Sequence, residues 1–136
     1  MRILALDVGQ RRIGLAISDP LGITAQGLPT LERRNLRADM AALGAVARDH
    51  GVSLVLLGYP LHMSGRESAQ AEKVKEFAAA IERHLGLPTR LWDERLTTVE
   101  ASRVLRESGI GQQKRARAID RLSAVLILQG YLDSQP

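Results

Sequence analysis

The chain has 136 residues, 45% of them hydrophobic and 25% charged, a balance that suits one globular domain over residues 1–136. The formal net charge is +4, and of 19 basic residues only Lys73, Lys75 and Lys114 are lysines. Arginine's planar fork grips phosphate at two points, so this bias suits a polyanionic partner, although base-composition bias or thermal adaptation would produce it too. Cysteine is absent, which excludes disulfides, thiolate zinc sites and cysteine nucleophiles. No apolar run approaches the ~20 residues of a membrane span, and the first residues lack the layout of a signal peptide. A soluble, cytoplasmic protein with no membrane partner is expected.

Residues 2–8 (RILALDV) and 13–18 (IGLAIS) read as strands of a hairpin joined by Gly9-Gln10-Arg11-Arg12. Asp19-Pro20-Leu21-Gly22 fits a type I turn into a third strand, 23–28. Asn35 then caps a helix to about His50, with Leu36, Met40, Leu43 and Ala47 at helical spacing and Gly51 as its stop. The apolar run 52–58 (VSLVLLG) predicts a strand covered on both faces. After a loop holding Pro60, Gly65 and Arg66, the positions Val74, Phe77, Ala78, Ile81 and Leu85 predict a helix ended by Gly86 and Pro88. Residues 89–93 (TRLWD) make a fifth strand. Thr97 with Glu100 forms a capping box for a helix to about Glu107. A basic connector, 109–117, leads to a last helix from about Arg117 to Leu132. The order βββαβαβαα predicts an α/β fold with a five-stranded mixed sheet flanked by helices.

Three acidic positions stand out. Asp7 lies in an apolar strand, where a carboxylate needs a cation, either a metal ion or an arginine. Asp93 and Glu94 end the fifth strand, and strand ends are where open α/β sheets bind ligands. Adjacent residues of a strand point to opposite faces, so one of the two faces a common site, and pairing with Arg95 is the competing account. Asp120 shares its helix face with the small residues Ser123 and Ala124, which would let the helix approach the sheet closely. A solvated aspartate paired with Arg117 or Arg121 is the alternative there. Carboxylates are the ligands of hard divalent ions. Two such ions about 4 Å apart can activate water and stabilise the leaving oxygen of a phosphodiester. The expected site is thus Asp7 and Asp120 on Mg²⁺ or Mn²⁺, completed by Asp93 or Glu94. Arg11 and Arg12, Arg66, Arg95, and Lys114 with Arg115 and Arg117 are the candidate contacts to a nucleic-acid backbone.

The segments Leu6-Asp7-Val8-Gly9, Arg11 to Ala16, Ser18-Asp19-Pro20, Gly58-Tyr59-Pro60-Leu61, Asp93 to Ala101 (DERLTTVEA) and Ile119-Asp120 follow in order along almost the whole chain. On them the sequence resembles the YqgF (RuvX) family of Holliday junction resolvase-like proteins. The resemblance implies a ribonuclease H-like fold and a cytoplasmic nuclease acting on the 5′ end of pre-16S ribosomal RNA. The implied acidic site falls on Asp7, on Asp93 or Glu94, and on Asp120. Resolvases of this fold carry a glutamate after the fourth strand, where this chain has Gly58-Tyr59-Pro60, so the 93–95 segment must supply that ligand. Three further readings remain open. A junction resolvase acting on branched DNA would need a homodimer to cut symmetrically, whereas an RNA nuclease could be a monomer. A non-catalytic nucleic-acid module would keep the basic surface alone. Asp7-x-Gly9 and Gly14 on a first hairpin also resemble the phosphate turn of sugar kinases and actin-like ATPases, which need two such domains.

Overall fold

A computed structural model of the chain describes residues 2–60, 68–94 and 113–135, with the backbone alone for 113–115. Its elements are β1 (Arg2–Val8), β2 (Arg12–Ser18), β3 (Ala25–Glu32), α1 (Leu36–His50), β4 (Val52–Tyr59), α2 (Ala69–Leu85), β5 (Thr89–Asp93) and α3 (Gln113–Ser134). The strands form one mixed sheet in the order β3-β2-β1-β4-β5. β1 pairs antiparallel with β2 and parallel with β4, and β4 is parallel to β5. The C-terminal ends of β1, β4 and β5 therefore share one edge of the sheet.

All of β1 after Arg2 and all of β2 after Arg12 are buried, because both faces of the sheet are covered. One face carries Leu4, Leu6, Leu15, Val55 and Leu57 against Leu43 of α1 and Phe77 and Ile81 of α2. The other carries Ile3, Ala5, Ala16 and Leu56 against Ala124, Ile127, Leu128 and Tyr131 of α3. The alanines Ala5, Ala16 and Ala124 and the glycine Gly14 on this second face let α3 sit close to the strands.

Local chemistry sets the ends. The Asn35 side chain accepts from the Ala38 N–H and opens α1, and Gly51, at φ 63°, closes it. Ser68 caps α2 in the same way through the Ala71 N–H. Asp19 organises the β2–β3 turn, its Oδ1 accepting from Ile23 N at 2.7 Å and Thr24 N at 2.9 Å. Two expected boundaries move. The third strand runs over Ala25–Glu32 rather than 23–28 and contains Pro29. An edge strand tolerates proline, since its missing N–H can face solvent. The last helix starts at Gln113 rather than Arg117. Gln, Lys, Arg and Ala are all good helix formers, so the end of the supposed connector extends the helix. The expected helix 97–107 with its Thr97–Glu100 box lies outside the described residues. Among the described residues no helix is long and apolar enough to cross a membrane.

Candidate active site

Asp7 is the last but one residue of β1 and is buried, at 1% exposure. Across β2 it stands opposite Gly14. Opposed residues of neighbouring strands point to the same face, and Asp7 shares its face with Ile3 and Ala5, beneath α3. On its other side, one step beyond the Leu6–Leu57 pair, lies Gly58 of β4. Asp7 is thus flanked within the sheet by two glycines.

Each glycine admits a second carboxylate-bearing segment. A Cβ on Gly14 would collide with the backbone of Asp120, falling 2.6 Å from its carbonyl carbon and 3.3 Å from its Cα. The backbone of α3 therefore comes down onto β2 at Gly14, the residue paired with Asp7, and this brings Asp120 to the Asp7 side of the sheet. A Cβ on Gly58 would fall 2.5 Å from Glu94 Oε1. The Glu94 side chain therefore lies over β4, toward Asp7. Asp120 and Glu94 are buried like Asp7, at 2% and 5% exposure.

Sheet register separates Glu94 from Asp93. Gly58 pairs with Trp92, and Tyr59 pairs with Asp93. Trp92 packs with the α3 cluster, whereas Tyr59 packs with the cluster under α1 and α2. Asp93 is directed to the face away from Asp7, and Glu94 follows it at the strand end.

The basic residues divide. Arg12 Nε donates to Asp120 Oδ2 at 2.8 Å. Arg117 holds Glu32 of β3 instead, through Nε and Nη2 both at 2.7 Å from Oε1. That places Arg117 two strands away from Asp7. Arg11 is exposed in the β1–β2 turn. Arg66 and Arg95 lie outside the described residues, as do the side chains of Lys114 and Arg115.

The turn bearing Arg11 and Arg12 is tied down from the α1–α2 side. Arg33 donates to Gly9 O through Nη1 at 2.7 Å and, through its backbone N–H, to Arg11 O at 2.8 Å. The buried Asp39 accepts from Arg33 Nε at 3.4 Å and Arg34 N at 3.0 Å. Gln70 Nε2 donates to Val8 O at 2.8 Å. Between these groups opens a cleft of about 490 Å³, lined by Gln10, Arg33, Arg34, Asp39 and Lys73 among others.

Sequence reasoning missed Gly14 and Gly58 as parts of the site. Each is an isolated glycine inside an apolar strand, a signal of close approach by another segment.

The sequence model of the family described as "RuvX: Holliday junction resolvase" matches residues 1–134. The chain belongs to this RuvX family. A relative from Koribacter versatilis is 58% identical over 97% of this chain and 86% of its own length. One from Moorella thermoacetica is 52% identical over 98% and 95%. Both carry the provisional name pre-16S rRNA nuclease. Among solved structures, the Thermus thermophilus RuvC protein in complex with a Holliday junction substrate superposes with a TM-score of 0.61. That match covers 97% of this chain and 94% of RuvC at 15% identity, a likeness of fold. The RuvX chain thus has the ribonuclease H-like fold of that nuclease, with the mixed sheet described above.

Proposed function

We propose that this protein is a divalent-metal-dependent nuclease that processes the 5′ end of precursor 16S ribosomal RNA in the cytoplasm. The observation that carries the reading is the row Asp120–Gly14–Asp7–Gly58–Glu94, three buried carboxylates at one sheet edge separated by two glycines. Burying three carboxylates together is costly unless positive charge compensates, and Arg12 pairs with Asp120 at the edge of this group. Carboxylate oxygens are the donors that Mg²⁺ and Mn²⁺ prefer, so the residues fit such an ion. No three His, Cys, Asp or Glu side chains among the described residues could enclose an ion by themselves. Mg²⁺ needs no such enclosure, since it binds through one or two carboxylates plus substrate phosphate and water.

In this reading Asp7, Glu94 and Asp120 would supply carboxylates to such an ion, and Arg12 keeps the Asp120 carboxylate in one orientation. When bound, the ion polarises the phosphodiester and lowers the pKa of the attacking water. Arg11, Arg34 and Lys73 are exposed cations around the β1–β2 turn and the cleft, and in this reading they are the contacts to backbone phosphates. The names of the relatives point to the RNA substrate.

The test is cleavage of a labelled pre-16S leader RNA and a four-way DNA junction, each with Mg²⁺, Mn²⁺ or EDTA. Metal-dependent cutting of the RNA, lost in Asp7→Asn, is expected. Preferred cutting of the junction would replace the RNA by branched DNA as substrate. Binding of either without any cutting would make the chain a non-catalytic nucleic-acid module.

A further inference from the structure

The last paired residues of β4 and β5 are Tyr59 and Asp93. Glu94 lies one residue beyond, with β4 between its own strand and Asp7. To approach Asp7 its side chain must cross β4. A Cβ on Gly58 would stand 2.5 Å from Glu94 Oε1, 3.2 Å from Glu94 Cδ and 2.6 Å from Ile127 Cδ1. The first and last of these are shorter than Cβ atoms sustain, so a side chain at 58 and the Glu94 carboxylate claim the same volume.

We infer that Gly58 is a positioning residue for the carboxylate site: its missing side chain leaves a slot on strand four, and the Glu94 carboxylate lies in that slot. This rests on the reading of Glu94 as a metal ligand. When the slot is filled, the part that gives way is decided by packing. Ile127 is fully buried and packed on all sides by the α3 cluster, so a shift there disturbs the core. Glu94 follows the last paired residue of β5, and the atoms facing Gly58 are the far end of its flexible side chain, which yields with less disturbance. A methyl group at 58 therefore evicts the carboxylate, and it weakens the site without removing any charge from the chain.

The experiment is Mn²⁺ titration calorimetry on the full chain. Ile127→Val removes Cδ1, the second contact, so every variant is built on it: I127V alone, with G58A, with E94A, and with both. I127V alone should bind Mn²⁺ as the wild type does. G58A should weaken binding roughly ten- to a hundredfold, the range for groups that orient a ligand. E94A should weaken it similarly. Adding G58A to E94A should change nothing further, because no carboxylate remains to be displaced.

Native affinity in the G58A variant, with E94A weakened, would overturn the inference. So would an equal loss from G58A with and without the Glu94 side chain, which is the mark of a merely structural role. Native affinity in E94A would instead remove Glu94 from the ligand set, and the reading beneath the inference fails. Should G58A not fold, restoration of folding by E94A supports the shared slot, and failure of that restoration overturns it.

Discussion

Arg12 Nε and Asp120 Oδ2 meet at 2.8 Å across 108 residues of chain, joining the first residue of β2 to the middle of α3. The Asp120 carboxylate is almost wholly buried, whereas 19% of the Arg12 side chain remains in water. Removing the cation leaves a buried carboxylate uncompensated by it. Breaking a fully buried pair costs about 3–5 kcal/mol, and the exposure of Arg12 lowers this toward about 1–3 kcal/mol. Arg12→Ala is expected to lose that much stability in EDTA. Mn²⁺ should restore part of it, since the ion supplies the missing positive charge. Urea denaturation with and without Mn²⁺ measures both quantities, and a loss independent of the ion would dissociate Arg12 from the metal site.

Gly14 and Gly27 both lie on the strands beneath α3, and they should respond differently to alanine. At Gly14 the obstacle is the Asp120 backbone, which cannot move without moving the helix. At Gly27 it is the Cγ and Cδ of Arg121, parts of a long, flexible side chain. Gly14→Ala should cost at least about 2 kcal/mol and abolish cleavage, whereas Gly27→Ala should cost less than about 1 kcal/mol and leave cleavage intact. Thermal melts and the RNA assay separate them. Equal effects would mean that contact at Gly14 does not set the position of Asp120.

Arg34 and Lys73 line the cleft beside the turn that carries Arg11. Each phosphate contact releases counterions, so losing two contacts should reduce the slope of log K against log salt by about 1.5. The double variant R34E K73E is expected to raise KM for RNA while leaving kcat and Mn²⁺ affinity near wild type. A salt slope equal to that of the wild type would take the cleft out of the substrate path.

The pKa of Asp19 is lowered from the ordinary 3.8, chiefly by the hydrogen bond from the Thr24 backbone N–H. A carboxylate whose folded pKa is depressed adds stability above its unfolded pKa and loses it as pH falls through the folded value. Asp19→Ala should therefore melt below the wild type by a constant margin near neutral pH. The margin should shrink as pH drops below about 4, the unfolded value for aspartate. A margin unchanged down to strongly acid pH would show that the turn is held by something other than this carboxylate.

The linear chain determined the elements and the candidates by itself. Strand alternation, helical spacing, Asn35 as a cap and the Asp19-Pro20-Leu21-Gly22 turn are local features, and local sterics decide them. Their order was enough for a mixed sheet flanked by helices, and the DERLTTVEA run was enough for the family. The start of α3 at Gln113 and the strand around Pro29 were the exceptions, the latter because whether proline ends a strand depends on whether that strand lies at the sheet edge. The tertiary structure alone decided the geometry of the site. Asp93 and Glu94 are equivalent until the pairing of β4 with β5 assigns Asp93 its face and the approach to Gly58 places the Glu94 carboxylate. Arg12 was a candidate for phosphate, but the packing of α3 on Gly14 brings Asp120 to its guanidinium. Arg117 was another, and the same packing hands it to Glu32. Ion pairs and carboxylate clusters form between residues brought together by closing long loops, and neither residue's own neighbours in sequence carry that information.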